Sequence, residues 1–145
     1  MPDSAFPVQN LLFFVDQDID GELEAAIERL VKELTISRTW SIRPPEFVNE
    51  LDDDIETLGG LLTVCNALPP NNPPTELDRA NLEEVKDLVH ALKVFSKARS
   101  VVFGLELDQV SVGSVRDGEV DESLRIGFLE EWERDLMERE KATSN

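Results

Sequence analysis

"NLLFFVDQDIDGELEAAIERLVKEL" fills residues 10–34, and its change of period decides the fold. Leu11, Leu12, Phe13, Phe14 and Val15 form an apolar run of strand length without helical spacing, which predicts a buried strand over residues 11–15. Beyond it Ile19, Leu23, Ala26, Ile27, Leu30, Val31 and Leu34 recur at helical intervals, while Glu22, Glu28, Arg29, Lys32 and Glu33 fall on the other side. That is an amphipathic helix of about four turns. Glu28 precedes Lys32 by one turn in the favourable orientation for a helix ion pair.

The junction carries Asp16, Asp18, Asp20 and Gly21, the first half of a calcium loop of the D-x-[DN]-x-[DN]-G type. Such a loop needs a bidentate Glu at its twelfth position and a helix in front of it. Here Ile27 holds that position, Glu28 comes one residue late, and a strand precedes. The acids are better read as a helix start. Asp18 or Asp20 caps the first free N–H groups, and Asp20, Glu22 and Glu24 oppose the positive end of the helix dipole.

Outward from this corner, Thr39, Trp40 and Ile42 suggest a strand stopped by Pro44 and Pro45. Phe47 and Val48 suggest a second short extended piece. Gly59 and Gly60 resist a helix, and the β-branched Thr63 and Val64 favour a strand after them. The "PPNNPP" stretch of residues 69–74 is a stiff connector; its PxxP spacing lacks a flanking base for docking. Thr75 and Asp78 are placed as a capping box. Leu77, Val85, Leu88, Val89, Leu92 and Phe95 give a long helix over residues 76–98.

Val101, Phe103, Leu105 and Leu107, then Val110 and Val112 after an Asp108-Gln109 turn, predict a β-hairpin. Asp117-Gly118 makes a further turn and Asp121 a cap. A last helix over residues 122–139 carries Leu124, Phe128, Leu129, Trp132 and Leu136, and residues 141–145 read as a frayed tail. The expected fold is one α+β domain spanning residues 1–145, a small mixed or antiparallel β-sheet packed against about three helices.

The outlying property is charge. The chain of 145 residues has 31 acidic and 14 basic residues, a formal net charge of −17. Such a surface repels nucleic acid and anionic membranes and attracts basic proteins. Serving solubility alone is the competing explanation. Cys65 is the single cysteine, so neither a disulfide within the chain nor a cysteine cluster for zinc is available. No apolar run reaches membrane-spanning length and no basic leader opens the chain, which predicts a cytoplasmic protein.

The catalytic inventory is poor. His90 is the only histidine and lies mid-helix, and Cys65 sits in an apolar run as a small core residue. A Cys65–His90 dyad would lack an orienting third group. Gly59-Gly60 lacks the partners of a phosphate loop. No enzyme and no cofactor is expected.

Charge clustering is more informative. Residues 16–28 hold six acidic groups and no basic one, and residues 46–56 repeat that count. Asp52, Asp53 and Asp54 are consecutive, which suits a solvated loop. Phe47, Val48, Leu51 and Ile55 interleave with the acids, giving an apolar centre ringed by charge, the anatomy of a protein interface. The candidate contact residues are Glu46, Glu50, Asp52, Asp53, Asp54 and Glu56, followed by Glu130, Glu131 and Glu133 of the last helix.

In size, acidity and lack of catalytic groups the whole chain resembles the small immunity proteins of bacterial toxin–immunity pairs, including contact-dependent growth inhibition systems. Residues 105–136 also look like a recurring bacterial type. The resemblance implies a protein that binds a basic nuclease toxin and occludes its active site. The alternatives are a cytoplasmic adaptor or housekeeping domain whose acidity gives solubility, or a divalent-cation-binding protein.

Overall fold

A computed structural model describes residues 7–67, 71 and 73–143. The strand at the opening run is β1 (Val8–Val15), and it lies at the centre of the sheet rather than at its edge. Helix α1 (Gly21–Ser37) follows it directly. Then come the hairpin β2 (Glu46–Asp52) and β3 (Ile55–Cys65), the long helix α2 (Thr75–Arg99), and the meander β4 (Phe103–Leu107), β5 (Val110–Arg116) and β6 (Glu119–Val120). The chain closes on a π-helical stretch, Ser123–Glu130, that continues into α3 (Glu131–Thr143).

The six strands run in the order β2-β3-β1-β4-β5-β6, every pair antiparallel. The fold is therefore α+β, and of the two expected sheet types it is the wholly antiparallel one. Alternate residues share a face. Leu11, Phe13 and Val15 of β1 lie opposite Leu62 and Gly60 of β3 and Leu107, Leu105 and Phe103 of β4. This face meets Ile27, Leu30, Val31 and Leu34 of α1 and Val85, Leu88, Val89 and Leu92 of α2 in one core. Phe13 sets its ring edge-on to Phe103 at 5.8 Å.

Gly59 and Gly60 are explained by this packing. A Cβ on Gly60 would fall 2.5 Å from the Phe13 ring, and one on Gly59 would fall 1.8 Å from the Phe13 carbonyl oxygen. The glycines let β3 approach β1 under a large ring, so they break no strand here despite their low β preference.

Three sequence expectations need correction. Thr39, Trp40 and Ile42 form no strand. The Trp40 indole is buried and donates to the Leu34 carbonyl at 3.2 Å, and the Ser41 N–H goes to the Glu84 carboxylate at 2.8 Å. Those groups are satisfied by a helix end and a side chain, so no ladder forms. The solvated loop expected at Asp52–Asp54 is the turn of a continuous hairpin. Asp53 and Asp54 both have positive φ, 50° and 65°, which marks the tight two-residue turn whose twist matches the flanking strands. Asp108-Gln109 and Asp117-Gly118, which were expected as turns, have the same signature.

The third correction concerns Thr75 and Asp78. Pro74 precedes the helix with no side-chain cap, Thr75 is its first residue, and Asp78 is fully buried. The helix that follows matches its expected span to within a residue at each end. Asp20 does cap α1, accepting from the Leu23 N–H at 2.8 Å. Asp121 likewise accepts from the Leu124 N–H at 2.9 Å. The last helix continues to Thr143, through part of the expected tail; residues 144–145 lie outside the described residues, as do residues 69, 70 and 72 of the proline connector. Among the described residues no helix is long and apolar enough to cross a membrane.

Candidate functional site: an acidic hairpin tip

The topology brings parts of the two base-free acidic stretches, residues 16–24 and 50–56, to one end of the sheet, whereas Glu46, opposite Leu61, begins β2 away from it. β1 runs towards that end and hands its chain to Asp16, Asp18, Asp20 and the N-terminus of α1. β2 runs the same way, and its turn at Asp53-Asp54 lies there too, because β3 is antiparallel to both. Glu24 in the first turn of α1 and Glu56 near the start of β3 come within hydrogen-bonding reach. The hydrogen bond between the two carboxyls, with their mutual repulsion, raises the Glu56 pKa above the usual carboxylate value.

At the tip the registers alternate acid with apolar side chain. Leu51 stands opposite Glu56 and Asp52 opposite Ile55. Leu51 is 73% exposed and Ile55 70%. Each face of the hairpin therefore presents one bare aliphatic group beside carboxylates. Glu46, Glu50, Asp52, Asp53 and Asp54 are exposed, and among the described residues none of them forms an ion pair. β2 is also an edge strand, paired only with β3. Charged side chains on such an edge oppose pairing between two copies of the chain.

The second group of candidate residues divides. Glu133 belongs to the joint between α2 and α3, accepting from Arg79 at 2.6 Å and Lys86 at 2.7 Å. Arg79 also holds Glu140 at 2.8 Å. Lys86 and then Arg79 keep Glu133 below the ordinary carboxylate range. Glu130 and Glu131 are exposed, with local partners in Arg125 at 3.3 Å and Arg134 at 3.7 Å. Glu130 and Glu131 thus remain at the surface, whereas Glu133 is an internal tie.

These two opposed shifts predict a two-limbed pH dependence. A raised folded-state pKa at Glu56 makes the tip more stable as pH falls from neutral through that value towards about 4.3, the unfolded carboxylate's pKa. The depressed pKa at Glu133 contributes stability above the unfolded value, and that stability is lost as pH falls through the lower folded one. In thermal melts across pH, Glu56→Gln is expected to remove part of the gain on mild acidification. Glu133→Gln is expected to lower stability at neutral pH and flatten the acid limb. Identical pH profiles in wild type and both variants would contradict this assignment.

Sequence reasoning missed a buried polar row. Asp78, Asn81 and Glu84 lie along one face of α2, each 1% exposed or less. β2 begins opposite Leu61, so β3 is left without that neighbour from Leu62 onward. There the Asn81 carbonyl oxygen accepts from the Cys65 N–H at 2.8 Å. Glu84 accepts from Ser41, and Asp78 accepts from the Trp132 indole at 2.7 Å and from Arg139. Asn81 thus satisfies a strand N–H at the end of the sheet, while Glu84 ties down the Ser41 loop and Asp78 the C-terminal helix.

Cys65 is buried, and burial, helped by the nearby Asp78 charge, pushes its thiol up to about 11. It is a protonated core residue at neutral pH. His90 is exposed and lies roughly 18 Å farther along α2 than Asp78, so the geometry assembles no Cys65–His90 dyad. Among the described residues no group of three or more His, Cys, Asp or Glu is placed to hold a metal ion. Comparison with protein-family models, with curated proteins and with solved structures gave no match.

Proposed function

We propose that this chain is an acidic protein-binding module whose β2–β3 tip docks on a basic partner, and that it acts as an immunity protein, occluding the active site of a nuclease-type toxin. The observation that carries this reading is the convergence of parts of two base-free acidic stretches around the exposed Leu51 and Ile55. The carboxylates would pair with the lysines and arginines that such an enzyme uses for phosphates. The two aliphatic groups would supply the desolvated contact that charge alone does not. Glu50, Asp52, Asp53, Asp54 and Glu56 are the contact residues in this reading; Glu46 stands opposite Leu61 at the far end of β2, and Glu131, with its neighbour Glu130, belongs to the opposite end of the sheet.

The turn sequence supports a role for the acids beyond solubility. Positive φ at both turn positions favours Asn-Gly, and an L-residue other than Gly, Asn or Asp there is strained. Asp54, with φ 65°, also stands beside two like charges. Asp54→Gly is expected to raise stability by about 1 kcal/mol, a melting increase of roughly 2–4 °C. The same variant is expected to bind the partner more weakly. A gain in stability with unchanged binding would remove the turn from the contact surface.

The direct test is calorimetric titration against a basic nuclease domain encoded beside this chain, at low and high salt. Binding that weakens with salt and inhibits the nuclease is expected. Absent or salt-insensitive binding would overturn the proposal.

A further inference from the structure

At the other end of the sheet lies a cavity of about 270 Å³ between the strand ends and the C-terminal helix. That is about nine waters' share of liquid volume. Val64, Leu107, Phe128, Trp132 and Leu136 form its apolar walls. We propose that this cavity binds a small apolar molecule bearing one ammonium group.

The polar groups choose the charge. Asp78, at the inner wall, is hydrogen-bonded to Arg139, so those two charges offset each other. Glu131 and Asp135, one turn apart on α3, also line the cavity, and no other lysine or arginine does so among the described residues. Arg134 reaches Glu131 only at 3.7 Å on the exposed side, and Asp135 forms no ion pair among the described residues. Among the described residues Glu131 is thus paired with Arg134 and Asp135 is not, which leaves the lining with an excess of negative charge beside the aromatic pair.

Phe128 and Trp132 stand 5.6 Å apart at 54°. The Trp132 indole is fixed by its hydrogen bond to Asp78. Aromatic walls with adjacent carboxylates favour an organic cation, which gains from the ring electrons and from the charge. A carboxylate ligand would meet Glu131 and Asp135 with like charge. Gly127 completes the rim, and a Cβ there would meet nothing within 4 Å, so the entrance is open where a side chain would stand. A small pocket with apolar walls and a few convergent polar groups is the ordinary form of a ligand site.

Two tryptophans make the test internal. Trp132 lines the cavity, whereas Trp40 is buried against α1 and donates to Leu34. In nitrogen–proton spectra, hexylammonium is expected to move the Trp132 indole signal saturably and leave that of Trp40 in place. Hexanol is expected to bind about tenfold more weakly or worse, and hexanoate not at all. Gly127→Leu, on an exposed helical position, should abolish the shift while the Trp40 signal reports an intact fold. Asp135→Asn should weaken hexylammonium about tenfold and leave hexanol unchanged. Equal affinity for hexanol and hexylammonium, a shift at both tryptophans, or no shift would overturn the proposal. Tighter binding of an N-acetyl-lysine amide than of hexylammonium would assign the cavity to a protein lysine and overturn the small-molecule reading.

Discussion

Asp78→Ala is expected to destabilise the protein by about 3–5 kcal/mol, the cost of removing one member of a buried ion pair. Asp78 is 0% exposed and joins three parts of the fold. It sits in the first turn of α2, accepts from the Trp132 indole at 2.7 Å and from Arg139, and lies 4.0 Å from the Cys65 sulfur. Its removal strands an indole N–H and takes away the carboxylate facing Arg139, a guanidinium whose second nitrogen already donates to the Pro73 carbonyl at 2.6 Å. The loss should appear in denaturant melts as a lower midpoint.

Asp78→Asn separates shape from charge. It keeps an acceptor for Trp132 but faces Arg139 with a neutral group, and an intermediate loss is expected. A double-mutant cycle with Arg139→Ala should show a coupling well above the roughly 0.5 kcal/mol expected of independent sites. If Asp78→Ala melts within 1 kcal/mol of wild type, the buried row on α2 does not hold the C-terminal helix.

That row also shows where the sequence stopped being legible. The strand at Leu11–Val15, the three helices and the β4–β5 hairpin were readable from their apolar spacing, although the sequence did not show the π-helical winding of residues 123–130 or the bulge between Leu105 and Glu106. On α2 the buried stripe of Val85, Leu88, Val89 and Leu92 extends backward onto Asn81 and Asp78. Polar residues at stripe positions look like the start of a helix, because a cap and a buried acceptor use the same side chains. The spacing was the available signal, since three or four residues before Val85 and Leu82 the stripe lands on polar groups. At Trp40 an alternating pattern suggested a strand, but local donors found side-chain and helix-end acceptors first.

The candidate site was half legible. Both acidic runs stood out in the sequence, but nothing in it said that they meet. Their meeting depends on β1 being central and on β2 and β3 being antiparallel to one another. The Asp triplet hid its turn because Asp-Asp is an unusual occupant of positions that favour Asn-Gly. The separation of Glu133 from its neighbours Glu130 and Glu131 is likewise tertiary, set by Arg79 and Lys86 on another helix.

The largest functional effect is expected from neutralising that turn. Replacing Asp52, Asp53 and Asp54 together with Asn should slow association with the basic partner by about tenfold or more at low salt, with the difference shrinking as salt rises. Dissociation should change less, because rim charges act mainly on encounter. Leu51→Ala should do the reverse, weakening the complex by roughly 1–2 kcal/mol chiefly through faster dissociation. The matched control neutralises Glu119, Glu122 and Glu138, exposed acids on β6 and the C-terminal helix. It changes net charge by the same amount while leaving the tip intact. If the control slows association as much as the tip variant does, the overall field governs encounter and the tip has no special part. If only the tip variant slows it, the geometry that gathers two acidic runs around Leu51 and Ile55 is the docking surface.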